Sequence, residues 1–255
     1  MNKLNLIRSI RNKLQRGKPT IGGWMQIPHG SVAEVMGAVG YDWVAVDMEH
    51  GAIGVDQLPD LFRALELGNT LPLARIAEGR PKDCQQALDA GAGGIIVPNI
   101  QDAEQLKAVR NACRWPPAGR RGVGFSRANL FGKNFGMYKK EAQSPLLIPM
   151  IEGSRALGAL DAILQVEGLD AVLIGPYDLS ASLHITGRLK DPRMQATCRM
   201  ILQKAKKAKI PCGVHVVHPS PAELTKRIRQ GYRFLPYSID SVILASQREF
   251  GRKLR

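Results

Sequence analysis

Short apolar runs rich in β-branched residues alternate along the chain with stretches in which apolar residues recur at helical spacing. Eight of the apolar runs predict strands, and each is followed by a predicted helix. The predicted strands cover residues 20–27, 43–47, 71–76, 94–98, 146–151, 171–174, 212–217 and 232–236. The predicted helices cover residues 31–39, 55–67, 81–90, 103–113, 154–166, 193–209, 221–229 and 239–253. Eight β/α units in 255 residues predict an α/β fold, a single-domain (β/α)8 TIM barrel over residues 1–255.

Two segments depart from this alternation. Before the first strand, Leu4, Ile7, Ile10 and Leu14 recur at helical spacing, which predicts an amphipathic helix packed on the barrel or on a neighbouring subunit. The first 33 residues contain basic but no acidic residues, so this segment also has the character of an organelle presequence. The connection over 114–144 is long, and such loops in compact domains are usually functional or mobile.

Composition narrows the class of protein. A formal net charge of +14 suits nucleic acid, an anionic surface or anionic substrates. The basic residues are spread over the chain and only 5% of residues are aromatic, so nucleic-acid binding is not the expected primary function. No apolar run reaches the roughly 18 residues of a membrane span, and no signal-peptide pattern is present, which predicts a cytoplasmic protein. The four cysteines form no Cys-x-x-Cys pair, so we expect reduced packing residues.

Polar side chains gather where the predicted strands end. They are Trp24 near the end of the first strand, Asp47, Glu49 and His50 at and after the second, Arg75 in the third, Glu152 after the fifth and Asp178 after the sixth. Because the carboxyl ends of all barrel strands meet at one face, these residues are predicted to share one mouth.

Glu152 and Asp178 follow adjacent strands, with few nitrogen or sulfur groups nearby in sequence. Two such carboxylates suit a hard divalent cation, Mg²⁺ or Mn²⁺, completed by water and a chelating substrate. The alternative interpretations are a helix cap for Asp178 and a surface salt bridge for Glu152.

Arg75 interrupts an apolar strand, so it needs an anionic partner, either a substrate carboxylate or a buried acidic side chain. His50 follows Asp47 by three residues and is a candidate general base whose second ring nitrogen Asp47 would orient; a structural role is the alternative. His215 and His218 have His-x-x-His spacing, but no third ligand is near in sequence and a zinc site is not expected.

Missing residues exclude other chemistries. No lysine lies between Lys18 and Lys82 or between Glu141 and Arg188, which disfavours Schiff-base catalysis at the mouth. The chain has no P-loop, and the connections after the seventh and eighth strands lack glycine-rich turns, so a phosphorylated substrate is not expected.

The chain resembles the metal-dependent class II pyruvate aldolases of the HpcH/HpaI aldolase/citrate lyase type, which act on 2-keto-3-deoxy and 4-hydroxy-2-oxo acids. The resemblance covers most of the chain. It lies in Gly23-Trp24, Ala33-Glu34, Gly40-Tyr41-Asp42-Trp43, Asp47-Met48-Glu49-His50, Leu73-Ala74-Arg75, Leu88-Asp89-Ala90-Gly91-Ala92, Val97-Pro98, residues 116–122, Ile151-Glu152 and residues 174–180.

The resemblance implies a role for each matched residue. Glu152 and Asp178 would bind a divalent ion, Mg²⁺ or Mn²⁺ with Co²⁺ as a further candidate, and Arg75 would stabilise the enolate of pyruvate. His50, paired with Asp47, would move protons. The remaining expected substrate contacts are Trp24 as a pocket wall, the turn Gly175-Pro176-Tyr177, and Asp89 reaching a neighbouring subunit's site. A cytoplasmic hexamer, a dimer of trimers with the C-terminal helix exchanged or packed on a neighbour, is also implied.

Three departures bear on the reaction. Met150 stands where the family usually has glutamine, Tyr177 replaces a small residue and His184 replaces a glycine. They leave open an oxaloacetate decarboxylase or a citrate- or malyl-type lyase or synthase with the same enolate chemistry. A non-catalytic barrel that binds an anion or RNA is the alternative outside enzymology.

Overall fold

The computed structural model describes residues 3–246, and eight parallel strands close into a barrel in sequence order, with β8 pairing β1. The strands are β1 Thr20–Met25, β2 Trp43–Asp47, β3 Leu71–Arg75, β4 Gly94–Val97, β5 Leu146–Ile151, β6 Val172–Ile174, β7 Cys212–Val214 and β8 Phe234–Pro236. The predicted (β/α)8 barrel is confirmed, and every predicted strand overlaps an observed one.

Helices surround the sheet. They are α1 Lys3–Gln15, α2 Gly30–Ala38, α3 Leu58–Leu67, α4 Pro81–Ala90, α5 Ala103–Cys113, α6 Phe135–Ala142, α7 Ser154–Gly158, α8 Leu160–Ile163, α9 Pro176–Ser182, α10 Pro192–Lys207, α11 Pro221–Gln230 and α12 Asp240–Ser246. Within residues 3–246, every helix falls short of the length and apolarity that crossing a bilayer requires.

Several predicted boundaries were wrong, and the structure shows a reason for two of them. The first strand stops at Met25 because the next two backbone N–H groups donate to the Asp240 carboxylate instead of continuing the sheet. The predicted helix 154–166 is two short helices, and the one predicted to run through 209 ends at Lys207, two residues before the left-handed backbone of Lys209 (φ 59°). Of the predicted helix 239–253, residues 247–253 lie outside the described range.

The long connection 114–144 contains a 3₁₀ turn, Arg127–Asn129, and helix α6. Trp115 is buried against Tyr138 and Phe135, with ring centroids 5.2 Å apart in both pairs. These rings form a small apolar cluster that anchors the connection. A segment expected only as a long loop is therefore a packed element with its own small core.

Side chains alternate between two apolar layers. One lies between strands and helices; the other fills the barrel and includes Trp43, Ala45, Leu71, Leu73, Ile148 and Met150. Trp43 stacks on Phe234 with centroids 4.2 Å apart, and a Cβ at Gly22 would lie 2.2 Å from the Trp43 ring. Glycine at that position therefore makes room for a tryptophan inside the barrel.

Helix α1 covers the end of the barrel where the strands begin. Ile7, Ile10 and Leu14 are buried in the inner apolar layer, which confirms the predicted amphipathic helix and its packing on the barrel. Arg11 pairs with Asp170 at 2.5 Å, so polar contacts fix the helix as well as burial. One end of the barrel is thus closed, and the strand C-termini form the open mouth.

The four cysteines are free and buried, which confirms the expectation of reduced packing residues.

Candidate active site

Asp47 and Arg75 are placed inside the mouth by the two-residue period of their strands. Trp43 and Ala45 point into the barrel, so Asp47 is the next inward position of β2. Leu71 and Leu73 establish the same phase for Arg75 in β3, and the register of the two strands pairs Asp47 with Arg75. The side-chain period of the strands and the register between them therefore place an acidic and a basic side chain next to each other.

The pair is bidentate and almost free of solvent. Arg75 Nε donates to Asp47 Oδ1 at 2.8 Å and Nη2 donates to Oδ2 at 2.5 Å, with the residues 5% and 0% exposed. Burial alone would raise the pKa of Asp47, but hydrogen bonds and charge from Arg75, with hydrogen bonds from Gln26 and Trp24, lower that pKa to about 2. Of the two partners considered for Arg75, the buried acidic side chain is therefore present.

Asp47 is also held from β1. Trp24 Nε1 and Gln26 Nε2 donate to Asp47 Oδ2 at 3.1 and 2.9 Å. Trp24 was predicted as a wall of the pocket. It is only 2% exposed and lies beneath the mouth, where its Nε1 is a buried hydrogen-bond donor. Gln26 is in turn fixed by the α12 N-terminus, where Asp240 accepts its backbone N–H and Ser241 Oγ donates to its side-chain oxygen. Sequence reasoning missed Gln26 and Asp240.

Glu49 binds the opposite side of the guanidinium. Arg75 Nη1 donates to Glu49 Oε2 at 2.6 Å, and Asn99 Nδ2 donates to Glu49 Oε1 at 3.0 Å. Burial raises the pKa of Glu49 despite the attraction of Arg75. Glu49 thus has a structural partner that its sequence position did not reveal.

Glu152 continues the inward phase of β5 and is 4% exposed. Its Oε1 accepts the Asn99 backbone N–H at 2.7 Å, while its Oε2 has no partner within the described chain. Burial, with repulsion from Asp178 and Glu49, raises the pKa of Glu152 to about 7, although the Asn99 N–H opposes this. An orphaned buried carboxylate oxygen suits a cation ligand.

The turn after β6 faces this carboxylate. A Cβ at Gly175 would lie 2.2 Å from Glu152 Oε2 and 3.0 Å from Met150 Cε, so only glycine leaves room there. Gly175 is the N-cap residue of α9, a helix that was not predicted, and buried Pro176 is its first residue. Tyr177 follows with 42% of its surface exposed.

Asp178 is exposed in the first turn of α9, and its charge acts on both Glu152 and Glu49. No group of three or more His, Cys, Asp or Glu side chains suited to a metal occurs in residues 3–246. Two carboxylates, one with a free buried oxygen, leave the rest of a cation's coordination to water or substrate oxygens, which fits a hard ion.

His50 is exposed at the rim, and Asp47 accepts its backbone N–H at 3.2 Å. The predicted contact between Asp47 and the imidazole ring was wrong, because both oxygens of Asp47 are occupied by Arg75, Trp24, Gln26 and two backbone N–H groups. Asp47 therefore positions the loop that carries His50.

His215 lies beneath the mouth. Its ring is 4.8 Å from that of Trp24, and its Nε2 is 3.2 Å from the Ser238 carbonyl oxygen. Burial lowers the pKa of His215 to about 4, so the ring is neutral at physiological pH. This neutral ring packs against the ring of Trp24.

Asp89 lies apart from these residues, in the last turn of α4 and half-buried. Burial raises its pKa, opposed by Arg121, Gln85 and Lys82. His184 has a left-handed backbone (φ 57°) just after α9, a conformation that glycine adopts without steric cost.

Comparison with known proteins identifies the family of this chain. The family model described as HpcH/HpaI aldolase/citrate lyase matches residues 20–246. The chain is 35% identical to the hydroxypyruvate/pyruvate aldolase of Roseobacter denitrificans, over 93% of each chain. It is 34% identical to the 2-keto-3-deoxy-L-rhamnonate aldolase of Salmonella gallinarum, over 95% of this chain and 91% of the relative.

A solved HpcH/HpaI aldolase/citrate lyase family protein from Burkholderia cenocepacia superposes with a TM-score of 0.89 at 28% identity, over 97% of this chain and 99% of that one. The matched residues span the barrel from β1 to the last described residue of α12. The resemblance seen in the sequence motifs is thereby confirmed: this chain belongs to the HpcH/HpaI aldolase/citrate lyase family.

Proposed function

We propose that the protein is a divalent-metal-dependent aldolase that reversibly cleaves a 2-oxo-4-hydroxy acid to pyruvate and an aldehyde. The observation that carries the proposal is the unpaired buried oxygen of Glu152, which faces the glycine turn before Asp178 and lies near the Asp47–Arg75 pair. The family and its named aldolase relatives support this class of reaction.

Glu152 and Asp178 would hold the cation, with Mg²⁺ or Mn²⁺ preferred because the donors are hard oxygens. When bound, such an ion acts as a Lewis acid toward the carboxylate and keto oxygens of the substrate. The Asn99 backbone N–H keeps one oxygen of Glu152 occupied and thereby aims the other toward the turn that Gly175 leaves open. Cation binding would also remove the cost of burying that oxygen without a partner.

Arg75 is the proposed stabiliser of the enolate oxygen. Its guanidinium has five N–H groups, and Asp47 and Glu49 accept three of them. Two N–H groups, one on each terminal nitrogen, are left for a substrate oxygen. Because Asp47 and Glu49 fix the guanidinium before substrate arrives, little reorganisation is needed as negative charge develops.

His50 is the proposed proton carrier. In the cleavage direction its ring accepts the proton of the C4 hydroxyl, the C3–C4 bond breaks, and the electron pair enters the enolate of pyruvate while the aldehyde leaves. Returning a proton to C3 completes pyruvate. Asp47 contributes by holding the backbone of the His50 loop.

A homo-oligomer, a hexamer built as a dimer of trimers, completes the proposal, with Asp89 directed at a neighbouring subunit. Support comes from large apolar side chains left exposed on and around the 114–144 connection: Val123, Phe125, Leu130, Phe131 and Met137, each at least 51% exposed. Such a patch is unusual on a monomer. Sedimentation of the full chain tests it, and a monomer at micromolar concentration would refute it.

Pyruvate release from 2-keto-3-deoxy acids, followed during titration with Mg²⁺ or Mn²⁺, tests the reaction. We expect metal-dependent activity that Glu152→Gln and Asp178→Ala both abolish. Full activity in excess chelator, or in either variant, would contradict the proposal. A panel of aldehydes with pyruvate or hydroxypyruvate in the synthetic direction would identify the acceptor.

A second candidate keeps the enolate and changes its partner: oxaloacetate decarboxylation, or a citrate- or malyl-type lyase or synthase reaction. The favouring observations are the family's inclusion of citrate lyases and the exposed Tyr177 beside Asp178, whose bulk would narrow the space for an aldehyde. Faster turnover of oxaloacetate or an acyl-CoA than of any hydroxy-oxo acid would select it.

A further inference from the structure

A second cavity lies at the opposite end of the barrel from the proposed catalytic mouth. Its volume is about 720 Å³, within the range of small-molecule sites. It is bounded by the ends of α1 and α11, by one face of α10, and by the residues that lead into β7 and β8. Because strands begin there, this cavity is separated from Glu152 and Arg75 by the length of the barrel.

The cavity lies beside α11, whose Leu224 and Ile228 pack against the core but are only partly buried. Helix α10 buries Met194, Cys198, Ile201 and Ala205 against the barrel, whereas α11 has no buried residue along its whole length. The space between the two helices is therefore left open, over a floor that includes Cys198, Cys212 and Tyr232.

Its walls are basic. Arg199, Lys206, Lys209, Arg227 and Arg233 line it, and among the residues that the structure describes no acidic one does. Arg227 pairs with Glu223, and Arg233 donates to two backbone carbonyls. The side chains of the other three form no ion pair and no hydrogen bond within the described residues 3–246.

Helix electrostatics do not account for all three unpaired cations. Lys206 in the last turn of α10 is favoured there by the helix dipole. Arg199, however, lies in the middle of the helix, seven residues before Lys206 and therefore on the same face. Lys209 lies beyond the helix end, yet it borders the same cavity.

We propose that this groove, the basic groove, binds a phosphorylated organic anion of nucleotide size. Three unpaired cations call for a ligand with several negative charges close together, as in a di- or triphosphate. The apolar wall formed by Leu202, Ile210 and Pro211 gives a planar organic body a surface to lie on. The inference does not depend on the catalytic proposal, since it uses none of the mouth residues.

Calorimetric titration of the full-length protein with ATP, in metal-free buffer at about 0.15 M salt, tests the proposal. We expect saturable binding of one ATP per chain, weaker binding of tripolyphosphate and still weaker binding of adenosine. Excess pyruvate should leave ATP binding unchanged. Absence of saturable ATP binding, or displacement of ATP by pyruvate, would overturn the proposal.

The double variant Arg199→Ala/Lys206→Ala should weaken ATP binding at least about tenfold, since two charge-assisted contacts are lost. Both side chains are exposed, so the fold is not at risk. The matched control is Arg8→Ala/Lys190→Ala, which removes two exposed cations that do not border the groove. Equal weakening in the two double variants, or preference for single-stranded RNA over ATP, would refute a specific groove site.

Discussion

Replacing Glu152 by glutamine should stabilise the metal-free protein while it abolishes catalysis. Burial keeps the pKa of Glu152 near 7 instead of 4.5. A folded-state pKa above the unfolded value means that the folded protein holds this proton more tightly. The contribution of Glu152 to folding stability is therefore highest below pH 4.5, falls as pH rises from 4.5 toward 7, and stays at the lower value above that.

The magnitude follows from that displacement. One pH unit is worth about 1.4 kcal/mol, so the ionised carboxylate costs about 3 kcal/mol of unfolding free energy above pH 7. Glutamine is never ionised, and its oxygen can still accept the Asn99 backbone N–H. Its amide also replaces a charge that Asp178 and Glu49 repel. At pH 8 we expect Glu152→Gln to be more stable than the wild type by up to about 3 kcal/mol.

Urea denaturation in excess chelator at pH 5 and pH 8 measures this effect. The stability difference between Glu152→Gln and wild type should be small at pH 5 and large at pH 8. Adding Mn²⁺ at pH 8 should then raise the stability of the wild type alone, since metal that binds only the folded state stabilises it. A variant gain that is equal at the two pH values, or a Mn²⁺ response retained in the variant, would refute the reasoning.

Three further predictions concern neighbouring residues. Gly175→Ala should displace the buried Glu152 carboxylate and weaken Mn²⁺ binding at least about tenfold, as measured by calorimetry. Gly153→Ala is the control, since its Cβ would meet no atom within 4 Å, and it should leave Mn²⁺ binding unchanged. Equal losses of affinity in the two variants would contradict this prediction. Arg75→Ala should cost about 3–5 kcal/mol in urea denaturation because Asp47 is left buried without its partner. The double variant Arg75→Ala/Asp47→Asn should regain part of that stability but no activity, because asparagine removes the unpaired charge and keeps one acceptor oxygen for the other donors to this position. A double variant as unstable as the single would argue against the ion pair. Burial lowers the pKa of His215 from 6.5 to about 4, so folding stability that depends on the neutral ring is lost as pH falls through this range. Between pH 6.5 and pH 4 the unfolding free energy of the wild type should fall by up to about 3 kcal/mol relative to that of His215→Gln. A difference between the two proteins that does not change with pH would show that His215 does not titrate in this way.

The barrel and the strand-end part of the site were predictable because both depend on local pattern. The apolar pattern of a strand shows which of its side chains point into the barrel, without knowledge of the neighbouring strands. That pattern is enough to place Asp47, Arg75 and Glu152 at the inner face. The sequence left the partner of Arg75 open, and the register of β2 and β3 in the structure identifies that partner as Asp47.

The rest depends on contacts between distant parts of the chain. Gln26 bonds to Asp47 only because Asp240, 214 residues later, fixes its backbone. Glu49 meets Asn99 through loops whose course no strand pattern specifies. The expected imidazole contact of Asp47 was wrong for the same reason: the competing donors come from other strands and were invisible in the spacing of residues 47 and 50.

The contact between Asp240 and the end of β1 also has a consequence for the order of assembly. The carboxylate accepts N–H groups from Gln26 and Ile27, so the first strand's terminus is completed by a residue near the end of the chain. A growing polypeptide that has emerged only as far as β7 holds Asp47, Arg75 and Glu152 but lacks the group that fixes Gln26 against Asp47. The contact that fixes Gln26 beside Asp47 therefore forms late in biosynthesis, after α12 has been made. Chains interrupted before α12 would carry Asp47, Arg75 and Glu152 but would lack the Asp240 carboxylate that holds the end of β1.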